Sequence, residues 1–213
     1  MKLLYTLAVL LMALQLNAQD WSTDVYKYGE EYPGYVVDEK GNKTEGYIKY
    51  RDRYSMQNEV IFFAEKGNKK TKTKYKTADL KEYKVADKLY HCIHYSGGLL
   101  AKPIRANLVV SEGCITQYVW YDRAEGYALM QQGPNETDEE FGNRMYPSKM
   151  VFLKSGSDEP KSVDYFGLKF AKKMSEYISD NKELASKVAN KEKGYGMLKI
   201  LDIIEQYNAE CEE

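Results

Sequence analysis

The fold of this chain is decided by the stretch Pro33-Gly34-Tyr35-Val36-Val37-Asp38-Glu39-Lys40-Gly41-Asn42-Lys43-Thr44-Glu45-Gly46-Tyr47-Ile48-Lys49-Tyr50. Two alternating runs flank a Gly-Asn pair, which tolerates the positive φ that tight hairpin turns require. The turn recurs as Glu65-Lys66-Gly67-Asn68-Lys69, between Val60-Ile61-Phe62-Phe63 and a second alternating run. Two hairpins with the same tip predict the nucleus of an antiparallel sheet.

The same period of two continues along the chain and predicts more strands. These cover 81–85, 89–95, 104–110, 115–121 and 150–153, while 51–58 is predicted to be a polar loop. Thr137-Asp138-Glu139-Glu140 has the spacing of a capping box, which predicts one or two helical turns there.

Beyond Ser162 the apolar period changes to three or four, which is typical of helices. The last segment is the most regular: Met197, Ile200, Leu201, Ile204 and Tyr207 make one apolar stripe, and Lys199, Asp202 and Glu205 face away. The expected fold is therefore α+β, with antiparallel hairpins or a meander in a sheet or roll, followed by two or three C-terminal helices. We expect a β domain at 19–160 and a helical segment at 161–213 that packs on the sheet.

The first eighteen residues have the features of a signal peptide. Lys2 gives the positive start, an apolar run follows to Leu16, and Asn17-Ala18 supplies a small residue for cleavage. We expect an exported protein, either periplasmic or outer-membrane-associated or secreted. No membrane span is predicted after cleavage, and no cysteine near the cleavage point could carry a lipid anchor.

The charge balance limits the classes of partner. The chain has 31 basic and 32 acidic residues, and nucleic-acid or anionic-membrane binders normally show a basic excess. One local exception is the alternation of Lys70, Lys72, Lys74 and Lys76 with threonine and tyrosine. It could bind a polyanion such as nucleic acid or an acidic glycan, or it could protect a sheet edge from aggregation; we favour the second interpretation.

The three cysteines and two histidines are the candidates for special chemistry. Cys92, Cys114 and Cys211 allow three single pairings, and all three could equally be unpaired, so the pattern stays open. His91, Cys92 and His94 could offer three metal ligands. On a strand, however, His91 and His94 would point to opposite faces about 10 Å apart, so these residues are weak candidates.

Sequence signatures of catalysis are missing from the chain. There is no Gly-x-Ser-x-Gly turn, no phosphate-binding loop and no His-Glu-x-x-His motif. The acidic group Glu136, Asp138, Glu139 and Glu140 lacks the glycine of a calcium loop and is expected to be solvated. The 20 tyrosines suit strands, and no catalytic residue or cofactor is predicted.

Several short motifs resemble a widespread uncharacterised family of exported Bacteroidota proteins. They are Gly34-Tyr35-Val36-Val37, Gly46-Tyr47-Ile48, the run 75–85 with Asp79-Leu80 and Tyr83, Leu108-Val109 to Gly113 followed by Tyr118, and Ile203-Ile204-Glu205-Gln206-Tyr207-Asn208. This chain has Thr77 where relatives often carry proline, so the turn before Asp79 is expected to differ. The resemblance implies export and a β-rich fold with C-terminal helices, and it implies no activity.

The leading hypothesis is an exported, non-catalytic envelope protein that binds a protein or glycan partner. One alternative is an envelope hydrolase with a site in the polar segment 122–144. Another is a structural or assembly component. The oligomeric state stays open.

Overall fold

A computed structural model describes residues 27–95, 97, 103–124 and 131–211, and the predicted signal peptide lies outside them. The ten strands are β1 Glu31–Asp38, β2 Lys43–Lys49, β3 Glu59–Phe63, β4 Lys72–Lys76, β5 Leu80–Val85, β6 Lys88–Ile93, β7 Arg105–Ser111, β8 Ile115–Tyr121, β9 Ser148–Lys154 and β10 Lys161–Ser162. The six helices within these ranges are α1 Arg53–Met56, α2 Asp138–Met145, α3 Val163–Gly167, α4 Phe170–Tyr177, α5 Lys182–Ala189 and α6 Ile200–Glu210. The expected α+β fold is confirmed.

All ten strands belong to one antiparallel sheet with the order β10-β9-β8-β7-β6-β5-β1-β2-β3-β4. Both predicted hairpins are present, as β1–β2 and β3–β4. The lysine-rich β4 is an edge strand, a place where charged side chains discourage pairing with another sheet. A 3₁₀ turn, Thr77–Asp79, joins β4 to β5, although these strands stand four places apart. A three-residue connection spans about 14 Å at most, so β1–β5 must curl into a roll.

The inner face of the roll holds the first core cluster. Val36, Ile48, Val60, Tyr83 and Tyr90 are buried there, and the rings of the two tyrosines stack with centroids 4.6 Å apart. The close curl leaves no room for side chains at Gly34 and Gly46, which are paired across β1 and β2. A Cβ on Gly34 would collide with the carbonyl oxygen of Lys84, and one on Gly46 would lie 2.5 Å from Cζ of Phe62. Glycine is therefore required at both positions, because atoms of a neighbouring strand occupy the place of a Cβ.

The segment predicted to be a polar loop instead contains α1 and fills the roll. Met56 and Gln57 are fully buried. The side-chain amide of Gln57 donates to the carbonyl of Tyr121 at 2.8 Å, and its oxygen accepts from the Tyr121 amide at 2.6 Å. A polar side chain can be buried here because both ends of its amide are satisfied by the backbone at the end of β8.

The C-terminal helices pack on Ile115 and Phe152 of the sheet and form a second core cluster. The predicted burial of the apolar stripe is confirmed at Ile200, Ile204 and Tyr207 of α6. It is wrong at Leu201, which is 44 % exposed, and Ile203 is buried in its place. The helix is therefore rotated slightly relative to the predicted stripe.

Two links fasten α6 to the sheet. A disulfide joins Cys114 to Cys211, and Cys92 is free. The Asn208 side chain accepts from the Ile115 amide at 2.7 Å and donates to the Ile115 carbonyl at 2.9 Å. The structure thus resolves the cysteine pairing that the sequence leaves open.

Candidate functional site

Polar side chains from four strands converge on the outer face of the sheet, opposite the first core cluster. Glu82 of β5 stands directly across from His91 of β6, and Tyr118 of β8 lies two strands further on. On the other side of β5, Tyr35 of β1 reaches Glu82. We call Tyr35, Glu82, His91, Glu112 and Tyr118 the His91 strip.

Two hydrogen bonds, one at each end, and two longer contacts from His91 to carboxylates link the side chains of the strip. The Tyr35 hydroxyl donates to Oε1 of Glu82 at 3.0 Å, and Nδ1 of His91 lies 3.0 Å from the Tyr118 hydroxyl. Nε2 of His91 lies 3.8 Å from Oε2 of Glu82 and 3.7 Å from Oε1 of Glu112. The imidazole is therefore held between one phenol and two carboxylates.

Burial sets the protonation states of these groups. It lowers the pKa of His91 below the ordinary 6.5, although Glu112 and Glu82 pull in the opposite direction. Burial raises the pKa of Tyr118 to about 12, and burial together with the bond to Glu82 raises that of Tyr35 to about 12. At neutral pH the strip therefore holds a neutral imidazole and two neutral phenols, and the phenol of Tyr118 is buried in a third core cluster with Val109, Trp120 and Val151.

A shallow groove of about 330 Å³ adjoins the strip at Tyr35. Its lining also includes Pro33, Glu45 and Lys84, together with Gly34, Gly46 and Ala86. At its margin, Nζ of Lys43 lies 4.0 Å from the centroid of the Tyr35 ring and 3.3 Å from Oε1 of Glu45. The groove therefore combines an aromatic ring, an exposed proline and charges of both signs.

The structure separates the three predicted metal candidates. His91 points to the outer face, while Cys92 packs against the first core cluster on the opposite face. Burial raises the pKa of the Cys92 thiol to about 12, and His94 is exposed just beyond the end of β6. Among the described residues, no three His, Cys, Asp or Glu side chains are grouped so that they could hold a metal ion.

The segment 122–144, proposed as the alternative hydrolase site, is described except for 125–130. Its predicted capping box is confirmed: Thr137 and Glu140 bond each other's backbone at the start of α2. Glu136 accepts from Arg144 at 2.7 Å, and this bond lowers the pKa of Glu136 to about 2. A carboxylate held in this way is a poor proton donor at neutral pH.

A second cavity, of about 490 Å³, lies beside the disulfide. Asp180 accepts from Nζ of Lys154 at 2.6 Å and from the Tyr207 hydroxyl at 2.5 Å. Asn181 donates to Glu210 at 2.8 Å. These polar groups satisfy one another, so the cluster is best explained as a fastening between α6, the turn after α4 and β9.

Sequence reasoning identified only one member of the strip, His91. The period-two alternation could have placed Tyr35, Glu82 and Tyr118 on the faces of their strands. It could not have brought them together, because the pairing of β1 with β5 links residues 47 positions apart. The strand order, rather than any local motif, creates this site.

No known protein family, curated protein or solved structure matches the chain. In the part of the chain that the structure describes, no helix combines the length and apolar character needed to cross a bilayer. The resemblance to exported Bacteroidota proteins therefore stays a prediction.

Proposed function

We propose that this protein is an exported, non-catalytic component of the cell envelope that binds a protein or glycan partner through the outer face of its roll. The observation that carries the proposal is the continuity of the His91 strip with the groove at Tyr35. Together they present aromatic, cationic and anionic groups on one surface. Fixed polar groups beside an aromatic ring are typical of recognition surfaces.

The state of the candidate nucleophiles supports binding rather than catalysis. A catalytic tyrosine or cysteine needs a lowered pKa or an adjacent base that activates it. Burial instead raises the pKa of Cys92 to about 12, and Cys92 lies on the face opposite His91. Tyr118 does contact Nδ1 of His91, but burial raises its pKa to about 12 and its ring is 3 % exposed, so a substrate has little access to this hydroxyl. The hydrogen bonds of the strip therefore fix side-chain positions in a way that suits a ligand surface.

Two features support export. The first eighteen residues have the composition of a signal peptide. The disulfide between Cys114 and Cys211 is of the kind that forms and persists in oxidising compartments. Fusion of the first 18 residues to a reporter that is active only outside the cytoplasm tests this part of the proposal.

Binding is tested by affinity capture from a native envelope extract, using the wild-type protein and a Tyr35→Ala/Lys84→Ala variant. We expect the variant to lose the captured partner, and prior digestion of the extract with glycosidases or proteases identifies its class. Tyr165→Ala is the matched control, because Tyr165 is 41 % exposed on α3 and lies outside the groove. Equal capture by all three proteins would refute the assignment of the site.

A further inference from the structure

The positive charge of this nearly neutral chain is concentrated in one short segment. Residues 66–81 contain seven lysines and one aspartate, a local charge of +6. Since the whole chain carries −1, the other 197 residues carry −7. The balance of the complete chain therefore conceals a strongly cationic segment.

The roll places five of these seven lysines along one edge of the sheet, in or just before β4. In β4, Lys72, Lys74 and Lys76 stand across from Phe63, Ile61 and Glu59 of β3, and all three lysines are exposed. Alternate residues of a strand project from the same face at intervals of about 6.7 Å. The exposed Lys69 and Lys70 extend the line of charge beyond the start of the strand.

Most of this charge is not neutralised within the protein. Lys74 pairs with Glu59 at 3.4 Å, and it remains 57 % exposed. Lys69, Lys70, Lys72 and Lys76 form no ion pair with any residue that the structure describes. We call Lys69, Lys70, Lys72, Lys74 and Lys76 the cationic edge.

We propose that the cationic edge binds a linear acidic polysaccharide, whose carboxylates pair with successive lysines. This is a second binding surface, and it does not depend on the groove at Tyr35. Charge complementarity determines the class of ligand, because free ammonium groups in a row are matched by a polymer with repeated anionic groups. A row of charges also fits an extended chain better than the flat surface of a membrane.

Two features favour a polysaccharide over nucleic acid. Single-stranded nucleic acids bind to aromatic rings on which bases stack. Tyr75, the aromatic residue of β4, turns to the inner face, where its ring lies edge-on to Phe62 with centroids 6.1 Å apart. All the cations of the edge are lysines, whereas base recognition relies strongly on the planar guanidinium group of arginine.

Edge protection alone makes a different prediction from polysaccharide binding. Any charged side chain discourages pairing between sheets, so glutamate would protect β4 as well as lysine does. A polyanion, by contrast, is repelled by glutamate. The variant Lys72→Glu/Lys76→Glu therefore separates the two roles, and Lys182→Gln/Lys193→Gln is a control for the loss of two exposed lysines on the helical side of the molecule.

The experiment measures binding of a fluorescent alginate oligomer by anisotropy at two salt concentrations. For single-stranded nucleic acids, the logarithm of the affinity falls with the logarithm of the salt concentration with a slope of about −0.7 per contact. If four of the five lysines contact alginate in the same way, the affinity should fall about twentyfold between about 50 and 150 mM salt. We expect Lys72→Glu/Lys76→Glu to remain monodisperse and to bind more than tenfold more weakly, with little change in the control.

Three outcomes would overturn the proposal. The first is that wild-type protein does not bind alginate at low salt. The second is that the glutamate variant binds as tightly as the wild type. The third is that a single-stranded DNA or vesicles containing phosphatidylglycerol bind more tightly than alginate, which would assign the edge to nucleic acid or to a membrane.

Discussion

Loss of the disulfide between Cys114 and Cys211 should greatly reduce the stability of the folded protein. The bond joins residues 97 positions apart, so it closes a long loop in the unfolded chain. In the chain-entropy model, a loop of this length restricts the unfolded state by about 4.7 kcal/mol. We therefore expect Cys114→Ser/Cys211→Ser to lower the free energy of unfolding by about 4–5 kcal/mol. The total free energy of unfolding of most domains is only about 5–15 kcal/mol.

Urea unfolding followed by circular dichroism measures this change directly. Thermal unfolding gives a second measurement. For a protein of this size, a loss of 1 kcal/mol in unfolding free energy lowers the melting temperature by about 2–4 °C, so the double variant should melt about 9–19 °C lower than the wild type. Cys92→Ala is the control, since Cys92 is free and only partly buried. It should change stability far less than the double variant.

The prediction fails if oxidised and reduced wild-type protein unfold at the same urea concentration. It also fails if Cys92→Ala destabilises the protein as much as the double variant does, because Cys92 would then be part of the covalent link. Mass spectrometry of peptides from unreduced protein identifies the linked pair in either case.

Three further predictions concern backbone contacts and pH. Gly46→Ala should lower the free energy of unfolding in urea by about 2–3 kcal/mol, because its Cβ would overlap the neighbouring strand. Gly167→Ala is the control: a Cβ added there would have no neighbouring atom within 4 Å, so this variant should be neutral or slightly stabilising. Asn208→Ala should cost about 2–4 kcal/mol in the same assay, since it leaves two backbone groups of Ile115 without their partner. The His91 pKa is lowered in the folded state, so stability should fall as pH drops below 6.5, where the unfolded chain takes up a proton first. NMR titration should show the lowered value, and His91→Gln should remove this part of the pH dependence.

Local patterns in the sequence predicted most elements of the fold but not how they assemble. The Gly-Asn turns identified both hairpins, and the capping box identified α2, because hydrogen bonds within a few residues determine these features. Helix α1 was missed, since its four residues are stabilised by burial in the roll rather than by their own periodicity. Leu201 was misplaced because a narrow helical stripe can be shifted by one residue without changing its apolar character.

The candidate site was much less accessible from the sequence than the fold. The sequence suggests His91 as a possible metal ligand, but its partners Glu82 and Tyr118 come from other strands and Glu112 comes from the turn between β7 and β8. No spacing between residues encodes such a cluster, because it depends on sheet order and on a bulge near the end of β7. The cationic edge was visible as an alternation, whereas its place at a free edge required the topology.

The motifs that resemble the exported family have a structural explanation at several of their positions. Gly34 and Gly46 allow strands to approach where a Cβ would collide with a neighbouring strand. Gly113 leaves room for Asn208, whose amide lies 2.7 Å from where a Cβ would stand, and Asn208 in turn holds the start of β8. These residues stabilise the roll and attach α6, and none of the four carries the charges of the outer face. A shared set of these four residues would therefore imply a shared fold.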